Sequence, residues 1–154
     1  MNLSAHVSLA EFCHSDTAKR QGIDNTIVDP AHLASAKLLC DKVFEPIRAH
    51  FGVPIHISSG YRSNALNRAI KGASSSQHCM GQAMDIDADK YGGVTNKQIF
   101  DYIRMNLEWD QLIWEFGTDE NPDWVHVSFG PRNRKQILRA VKSKKGTLYK
   151  PVAG

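Results

Sequence analysis

The chain has 154 residues, of which 42% are hydrophobic and 23% charged, and its formal net charge is +3. This composition is typical of one globular domain, and no apolar run approaches the roughly 20 residues of a membrane-spanning helix. The N-terminus lacks a basic segment followed by an apolar block, so we expect no secretory signal and synthesis in the cytoplasm. Cys13, Cys40 and Cys79 are odd in number and lack CxxC spacing, which argues against disulfides or a thiolate zinc site.

The positive charge is concentrated at the C-terminal end. Eight basic residues and no acidic ones lie between Gly130 and Gly154, whereas the remainder has 11 basic and 16 acidic residues. Such a segment favours contact with an anionic surface such as teichoic acid, lipopolysaccharide or nucleic acid, and a solvated terminal face is an equal alternative. We therefore predict a domain over residues 1–130 and a basic C-terminal extension, 131–154, that is either part of this domain or a flexible tail.

Capping residues and apolar spacing predict helices in the N-terminal third of the chain. Ser8 caps a short first helix, and Ser15 with Gly22 delimits a second. Asp29-Pro30 begins a long helix. Its apolar residues recur at helical spacing: Leu33, Ala36, Leu39, Cys40, Val43, Phe44 and Ile47. Pro46 is expected to kink or end this helix, because proline has no N–H and its ring collides with the preceding turn.

The rest of the chain alternates between predicted strands and helices. Strands are predicted at 53–58, 82–88, 110–116 and 124–129, with a further one around 137–141. Helices are predicted at 64–71, capped by Ser63, and at 95–107. This order predicts an α+β fold with a small, mainly antiparallel sheet flanked by helices.

Three side chains of metal-binding type stand out: His78 and Asp85 in SQHCMGQAMD, and His126 in DWVHVSF. Each alone is weak evidence, but two imidazoles plus one carboxylate supply the three protein ligands of a zinc hydrolase. Seven extended residues span roughly 23–25 Å, so the chain must fold back between His78 and Asp85, and Gly81 permits such a turn. Alternation predicts that Asp85 and His126 each project from an otherwise apolar strand.

These motifs resemble the zinc D-alanyl-D-alanine peptidases, which include VanX-type dipeptidases, D-Ala-D-Ala carboxypeptidases and L-alanyl-D-glutamate endolysins. The Hedgehog zinc domain shares their fold. The signature SxHxxGxAxD is complete here as Ser76, His78, Gly81, Ala83 and Asp85. The segments SSGYRS, WDQLIWEF and WVHVS look like the short single-domain branch of phages and prophages. The resemblance covers roughly residues 5–130 and implies one zinc ion, with a peptide of bacterial peptidoglycan as the substrate.

The resemblance also implies roles for individual residues. His78, Asp85 and His126 match the zinc ligands. Asp123 matches the general base, which takes a proton from the attacking water and passes it to the leaving amine. Arg62 in GYRS matches the arginine that faces the scissile carbonyl and stabilises the oxyanion.

The general base has a second candidate in the sequence. Asp123 lies three residues before His126, and residues three apart in a regular strand face opposite sides. Asp123 is therefore expected before the strand proper, where Asn121-Pro122 makes an irregular entry plausible. Glu115, the one charged residue in LIWEF, is the reserve candidate for the base or for a residue that supports a metal ligand.

Three further residues are candidates for contact with the substrate. Ser76 aligns with a substrate-binding serine of the family, although it also suits a loop cap. Tyr61 and Trp124 are candidates for the wall of the groove, although aromatic residues near strands more often belong to the core.

Other functions remain open alternatives. The same ligands form the facial triad of non-haem Fe(II) oxygenases, and a zinc-containing wall-binding or virion module needs no catalysis. Nucleic-acid binding lacks a supporting motif. We prefer a monomeric phage or prophage endolysin-like peptidase that reaches the wall or periplasm through holins, with the basic segment aiding contact. The sequence leaves open whether it is a carboxypeptidase or an endopeptidase. It also leaves open whether the bond is D-Ala-D-Ala, D-Ala-meso-diaminopimelate or L-Ala-D-Glu.

Overall fold

The computed structural model describes residues 1–152, and eight strands lie within that range. They are β1 Asn2–Ser4, β2 Val7–Ser8, β3 Ile57–Ser59, β4 Ala83–Ile86, β5 Gln111–Glu115, β6 Trp124–Ser128, β7 Gln136–Ser143 and β8 Gly146–Pro151. Strands β1 and β2 form a small antiparallel pair, and the other six form one sheet in the order β3-β4-β6-β5-β7-β8. Neighbouring strands of that sheet are antiparallel except β5 and β7, which are parallel. The predicted α+β fold with a mainly antiparallel sheet is confirmed.

Six α-helices accompany the sheet in the described range. They are α1 Leu9–Phe12, α2 Asp16–Gln21, α3 Pro30–Leu39, α4 Glu45–Phe51, α5 Asn64–Ala69 and α6 Asn96–Asn106. The predicted caps Ser8, Ser15 and Ser63 are confirmed, since each side chain accepts a backbone N–H at the start of α1, α2 and α5. Asp29 and Thr95 cap α3 and α6 in the same way. Among residues 1–152, no helix has the length and apolar character to cross a membrane.

Pro46 interrupts the long N-terminal helix but does not end it. The chain passes from α3 into α4 through a π-helical turn, Cys40–Phe44. In this wider turn the Glu45 N–H donates to the Cys40 carbonyl five residues earlier. Pro46 then occupies the first turn of α4, where its missing N–H breaks no helical hydrogen bond.

Alternation along the strands gives the main sheet two different faces. One face packs against the helices and forms the core with side chains at most 1% exposed: Met84, Ile86, Leu112, Val125, Val127, Leu39, Val43, Phe44, Ile47, Ile99 and Ile103. Removing each of these side chains from water stabilises the fold by roughly 1.5–3 kcal/mol. The opposite face carries the polar residues of the same strands, so the core fixes where those residues project.

The C-terminal strands differ most from the sequence prediction. The strand predicted around 137–141 is the longer β7, and β8 was not predicted. Strand β7 lies beside β5 inside the sheet, so the basic segment after residue 130 contributes two strands to it. Strand β3 begins at Ile57 and not at residue 53, because Pro54 cannot donate to a ladder. Helix α5 ends at Ala69, before the predicted residue 71.

A buried carboxylate joins this C-terminal segment to the middle of the chain. Asp110 is 1% exposed, and its Oδ1 accepts hydrogen bonds from the backbone N–H of Arg134 at 3.0 Å and from its Nε at 2.9 Å. Its Oδ2 accepts from Arg134 Nη2 at 3.1 Å and from Gln77 Nε2 at 2.9 Å. These bonds, those of Arg134 above all, lower the pKa of Asp110 to about 2. Gln77 precedes His78, so the network also holds the turn that carries this histidine.

We predict that Asp110→Asn destabilises the fold in a pH-dependent way. The pKa of Asp110 falls from 3.8 to about 2 on folding, so its ionisation stabilises the folded state above about pH 4, and this stabilisation is lost as the pH falls towards 2. Because Arg134 is 41% exposed, we expect a loss of about 1–2 kcal/mol at pH 7. Urea denaturation at several pH values measures it.

The matched control is Lys135→Ala, which removes the exposed pair of Lys135 with Glu108 at 3.2 Å. It should change the free energy of unfolding much less than Asp110→Asn does. A loss for Asp110→Asn that stays constant from pH 7 down to pH 2 contradicts the role of the ionised carboxylate.

Candidate functional site

His78, Asp85 and His126 converge on one point at the polar face of the sheet. Asp85 of β4 and His126 of β6 are direct partners in the antiparallel ladder, and His78 lies in a 3-10 turn, Gln77–Met80, just before β4. The three ligand atoms lie within 4.8 Å of one another. Asp85 Oδ1 is 3.5 Å from His78 Nε2 and 3.0 Å from His126 Nδ1. Two imidazole nitrogens and a carboxylate oxygen form a donor set suited to a divalent metal such as zinc.

The turn that brings His78 back towards Asp85 depends on Gly81. This glycine has a φ of +71°, and a Cβ there would lie 2.4 Å from the His32 carbonyl oxygen of α3. The predicted fold-back is thus confirmed, and both the left-handed backbone and the close approach require glycine. At the start of the turn the Ser76 hydroxyl accepts the His78 N–H at 3.3 Å.

The environment of His78 tests whether the site fits a metal ion. Nδ1 lies 2.7 Å from the Gly60 carbonyl oxygen, so we assign the ring proton to Nδ1 and the lone pair to Nε2. Within residues 1–152, Nε2 is buried without a hydrogen-bond partner. Burial also lowers the pKa of His78, which favours the neutral form that binds metals. An unpaired buried nitrogen beside a carboxylate fits a bound cation.

The charges around the site support the same conclusion. Burial by itself raises the pKa of Asp85, but His78 and His126 together hold that pKa well below its ordinary value, so Asp85 is ionised at neutral pH. Cys79, next to His78, does not belong to the three-residue cluster. Burial raises the pKa of its thiol, although Arg62 opposes the effect, so Cys79 is not a ready thiolate ligand.

The two candidates for the general base are placed differently. Glu115 ends β5, is 6% exposed, and lies opposite Trp124 on the face that carries His126. Burial, and then the charge of Asp85, raise the pKa of Glu115 to about 7. Asp123 is exposed just before β6, where its N–H donates to the Glu115 carbonyl.

The cleft around the metal site includes Glu115 but not Asp123. Asp123 lies at a bend directly before β6, as expected, and its backbone is held there by the bond to the Glu115 carbonyl. The catalytic roles of Asp123 and Glu115 both stay predictions.

Arg62 lies beside the site and is held by a residue that the sequence analysis missed. Its Nη1 donates to Asn67 Oδ1 at 3.1 Å, and its backbone N–H donates to the His78 carbonyl at 3.1 Å. Asn67 is 5% exposed, and a Cβ at Gly72 would lie 2.1 Å from its Oδ1. An asparagine within a short helix has poor helix propensity, and this was the signal that could have identified Asn67.

The metal site lies where two surface clefts meet. The larger one, of about 860 Å³, contains Ser76 and Trp124 in its walls, and their contact with the substrate stays a prediction. The smaller one, of about 490 Å³, shares only Arg62 and Asp85 with it. Residues of the C-terminal segment also form part of the larger cleft, and the sequence analysis did not identify them: Arg132, Arg134, Leu138, Thr147 and Tyr149.

Tyr61 borders the smaller cleft and not the larger one, so its contact with the substrate stays a prediction. It is 7% exposed, belongs to the core cluster, and borders only the smaller cleft. The reason is the local backbone: the Tyr61 N–H donates to the Phe12 carbonyl at 2.9 Å. Its ring turns towards His32, with the two ring centroids 6.4 Å apart.

Comparison with known proteins agrees with this geometry. A family model described as Peptidase M15 matches residues 5–128, which include the three metal-binding candidates, Arg62 and Glu115. No curated protein matches the chain. Strands β7 and β8 lie beyond the matched residues. Because the match spans most of the sequence, the chain belongs to the peptidase M15 family of zinc-dependent metallopeptidases.

Proposed function

We propose that this protein is a zinc peptidase that hydrolyses a peptide bond in the stem peptides or cross-links of bacterial peptidoglycan. The observation that carries the proposal is the convergence of His78, Asp85 and His126 in a cleft that also contains Glu115 and Arg62. If the same ligands bound Fe(II) in an oxygenase, Glu115 and Arg62 would have no specific role in the reaction. A purely wall-binding module has no use for a buried carboxylate beside a metal site.

The residues of the cleft suit hydrolysis of an amide. When bound, zinc supplies a Lewis acid that polarises the scissile carbonyl and makes a water molecule more acidic. Glu115 accepts the proton of the attacking water and delivers it to the leaving amine. Arg62, held by Asn67, donates hydrogen bonds to the carbonyl oxygen as negative charge develops there. Because Glu115 is buried, its charge interactions with the reacting groups are stronger than they would be in water.

The two clefts favour an endopeptidase over a carboxypeptidase. Asp85 is paired with Ser59 of β3 on one side and with His126 of β6 on the other. The smaller cleft extends over β3 and the start of α2, and the larger one over β5, β7 and β8. A peptide therefore has space on both sides of the scissile bond, whereas a carboxypeptidase needs a closed end that seats a terminal carboxylate.

The place of action is part of the same proposal. We infer synthesis in the cytoplasm of a phage-infected or lysogenic host, followed by action of a monomer at the cell wall. The exposed lysines of β7, β8 and their turn support contact with an anionic envelope polymer: Lys142, Lys144, Lys145 and Lys150. This contact raises the local concentration of the enzyme at the wall and adds no specificity for a particular bond.

We predict that His126→Ala removes zinc and peptidase activity together. The variant loses one of three protein ligands, and the remaining two cannot complete a stable site. Elemental analysis after purification in zinc-containing buffer measures the metal, and amine release from peptidoglycan measures activity. His6→Ala is the matched control, because His6 pairs with Glu45 at the surface. Full zinc content in the His126→Ala protein contradicts the assignment.

We predict that Glu115→Gln keeps zinc but lowers kcat by at least about 100-fold, because the amide cannot accept a proton. Asp123→Asn is the matched variant for the rival base and should retain both zinc and turnover. The comparison uses kcat on peptidoglycan peptides together with zinc content. The reverse result, an inactive Asp123→Asn protein and an active Glu115→Gln protein, restores the assignment based on family resemblance.

We predict that digestion severs an internal bond of the wall peptide. Mass spectrometry of the digested muropeptides should show two peptide fragments, and amidation of the peptide C-terminus should leave the rate unchanged. Release of a single C-terminal residue, abolished by amidation, indicates a carboxypeptidase and contradicts the endopeptidase assignment.

A further inference from the structure

The C-terminal strands form one wall of the larger cleft although they lie outside the residues that match the family. In the ladder of β5 with β7, Glu115 is the partner of Ala140, and in the ladder of β7 with β8, Ala140 is the partner of Tyr149. Paired residues project from the same face of a sheet. Glu115, Ala140 and Tyr149 therefore form one row across three strands, with Glu115 at the end nearest the metal site.

The middle residue of this row leaves room for the tyrosine. Ala140 is fully buried and joins Ile113 and Leu138 in a small apolar cluster under the cleft. Neighbouring strands are about 4.8 Å apart, so the Cα atoms of Glu115 and Tyr149 are separated by roughly 10 Å. A tyrosine side chain that leans over the alanine methyl covers much of that distance.

Tyr149 lines the larger cleft together with Glu115, Asp85 and Arg62. Burial and then the carboxylates of Glu115 and Asp85 raise the pKa of Tyr149, while Arg62 acts in the opposite direction. The side chain is nevertheless half exposed, at 51%. Within residues 1–152 its hydroxyl has no hydrogen-bond partner in the protein. The phenol is thus a free donor in the cleft.

We propose that Tyr149 is a substrate-binding residue whose hydroxyl donates a hydrogen bond to a carbonyl or carboxylate oxygen of the bound peptide, on the β8 side of the scissile bond. The inference rests on the proposed peptidase function and extends it to a segment that the family match does not include. Ionised Asp85 and the nearby Glu115 disfavour a phenolate, so Tyr149 acts as a donor. The basic segment then contributes directly to the site and does not serve only as a surface for attachment.

The test compares Tyr149→Phe with Leu148→Ala in the zinc-loaded, full-length protein. Leu148 directly precedes Tyr149 on β8, is 46% exposed, and is not part of the cleft. Loss of one hydrogen bond should lower kcat/KM for a peptidoglycan peptide about three- to tenfold in Tyr149→Phe. The change should fall mainly on KM, whereas Leu148→Ala should leave kcat/KM unchanged. Equal urea midpoints for Tyr149→Phe and the wild type exclude a folding defect.

A second measurement separates this inference from the proposed function. Calorimetry with the isolated product peptide should show that Tyr149→Phe binds it about three- to tenfold more weakly than the wild type does. This binding measurement does not require turnover. Peptides that carry a carboxylate or the corresponding amide distinguish the two oxygen acceptors.

If the wild type cleaves the peptide and Tyr149→Phe matches it in kcat/KM and affinity, the inference is overturned and the proposed function stands. A wild-type protein that binds but does not cleave the peptide contradicts the proposed function, and the affinities then decide on Tyr149. A wild-type protein that neither cleaves nor binds contradicts both.

Discussion

The register of β4 against β6 is the constraint on which the site depends. Because Asp85 lies directly opposite His126, a carboxylate and an imidazole project side by side from the same face of the sheet. Their strand neighbours Met84 and Val125 are fully buried in the core. A slip of one residue would turn the apolar side chains to solvent and the polar ones to the core. Core packing therefore fixes the separation of two ligands without any contribution from the metal.

Short segments that are held by specific hydrogen bonds place the other residues of the site beside Asp85 and His126. His78 is held by a turn that requires Gly81 and by its bond to the Gly60 carbonyl. Arg62 is held by Asn67. The buried Asp110 couples the turn that carries His78 to the C-terminal strands. Preorganisation of this kind lowers the reorganisation needed during catalysis, and it makes β7 and β8 part of the cleft although the family match ends before them.

Local signals in the sequence were sufficient for most of the fold. Caps such as Ser15 and Thr95 form local hydrogen bonds, and the apolar period of β6 marks its buried face, so both can be recognised without tertiary information. Strand β8 could not be predicted, because its residues are exposed and its pairing with β7 is its main support. The residues of the site were likewise predicted only in part. The metal-binding candidates were found from residue type and spacing. That Glu115 lines the larger cleft and Asp123 does not depends on the tertiary structure and could not be predicted.

The coordination of the bound metal tests the central claim most directly. Zinc-edge X-ray absorption of the zinc-loaded protein should show nitrogen and oxygen ligands near 2.0–2.1 Å, with two imidazoles and no sulfur. In His78→Ala one imidazole should disappear from the spectrum or the ion should be lost. A sulfur ligand at about 2.3 Å, or an unchanged pair of imidazoles in His78→Ala, would show that the ion is bound elsewhere and contradict the account.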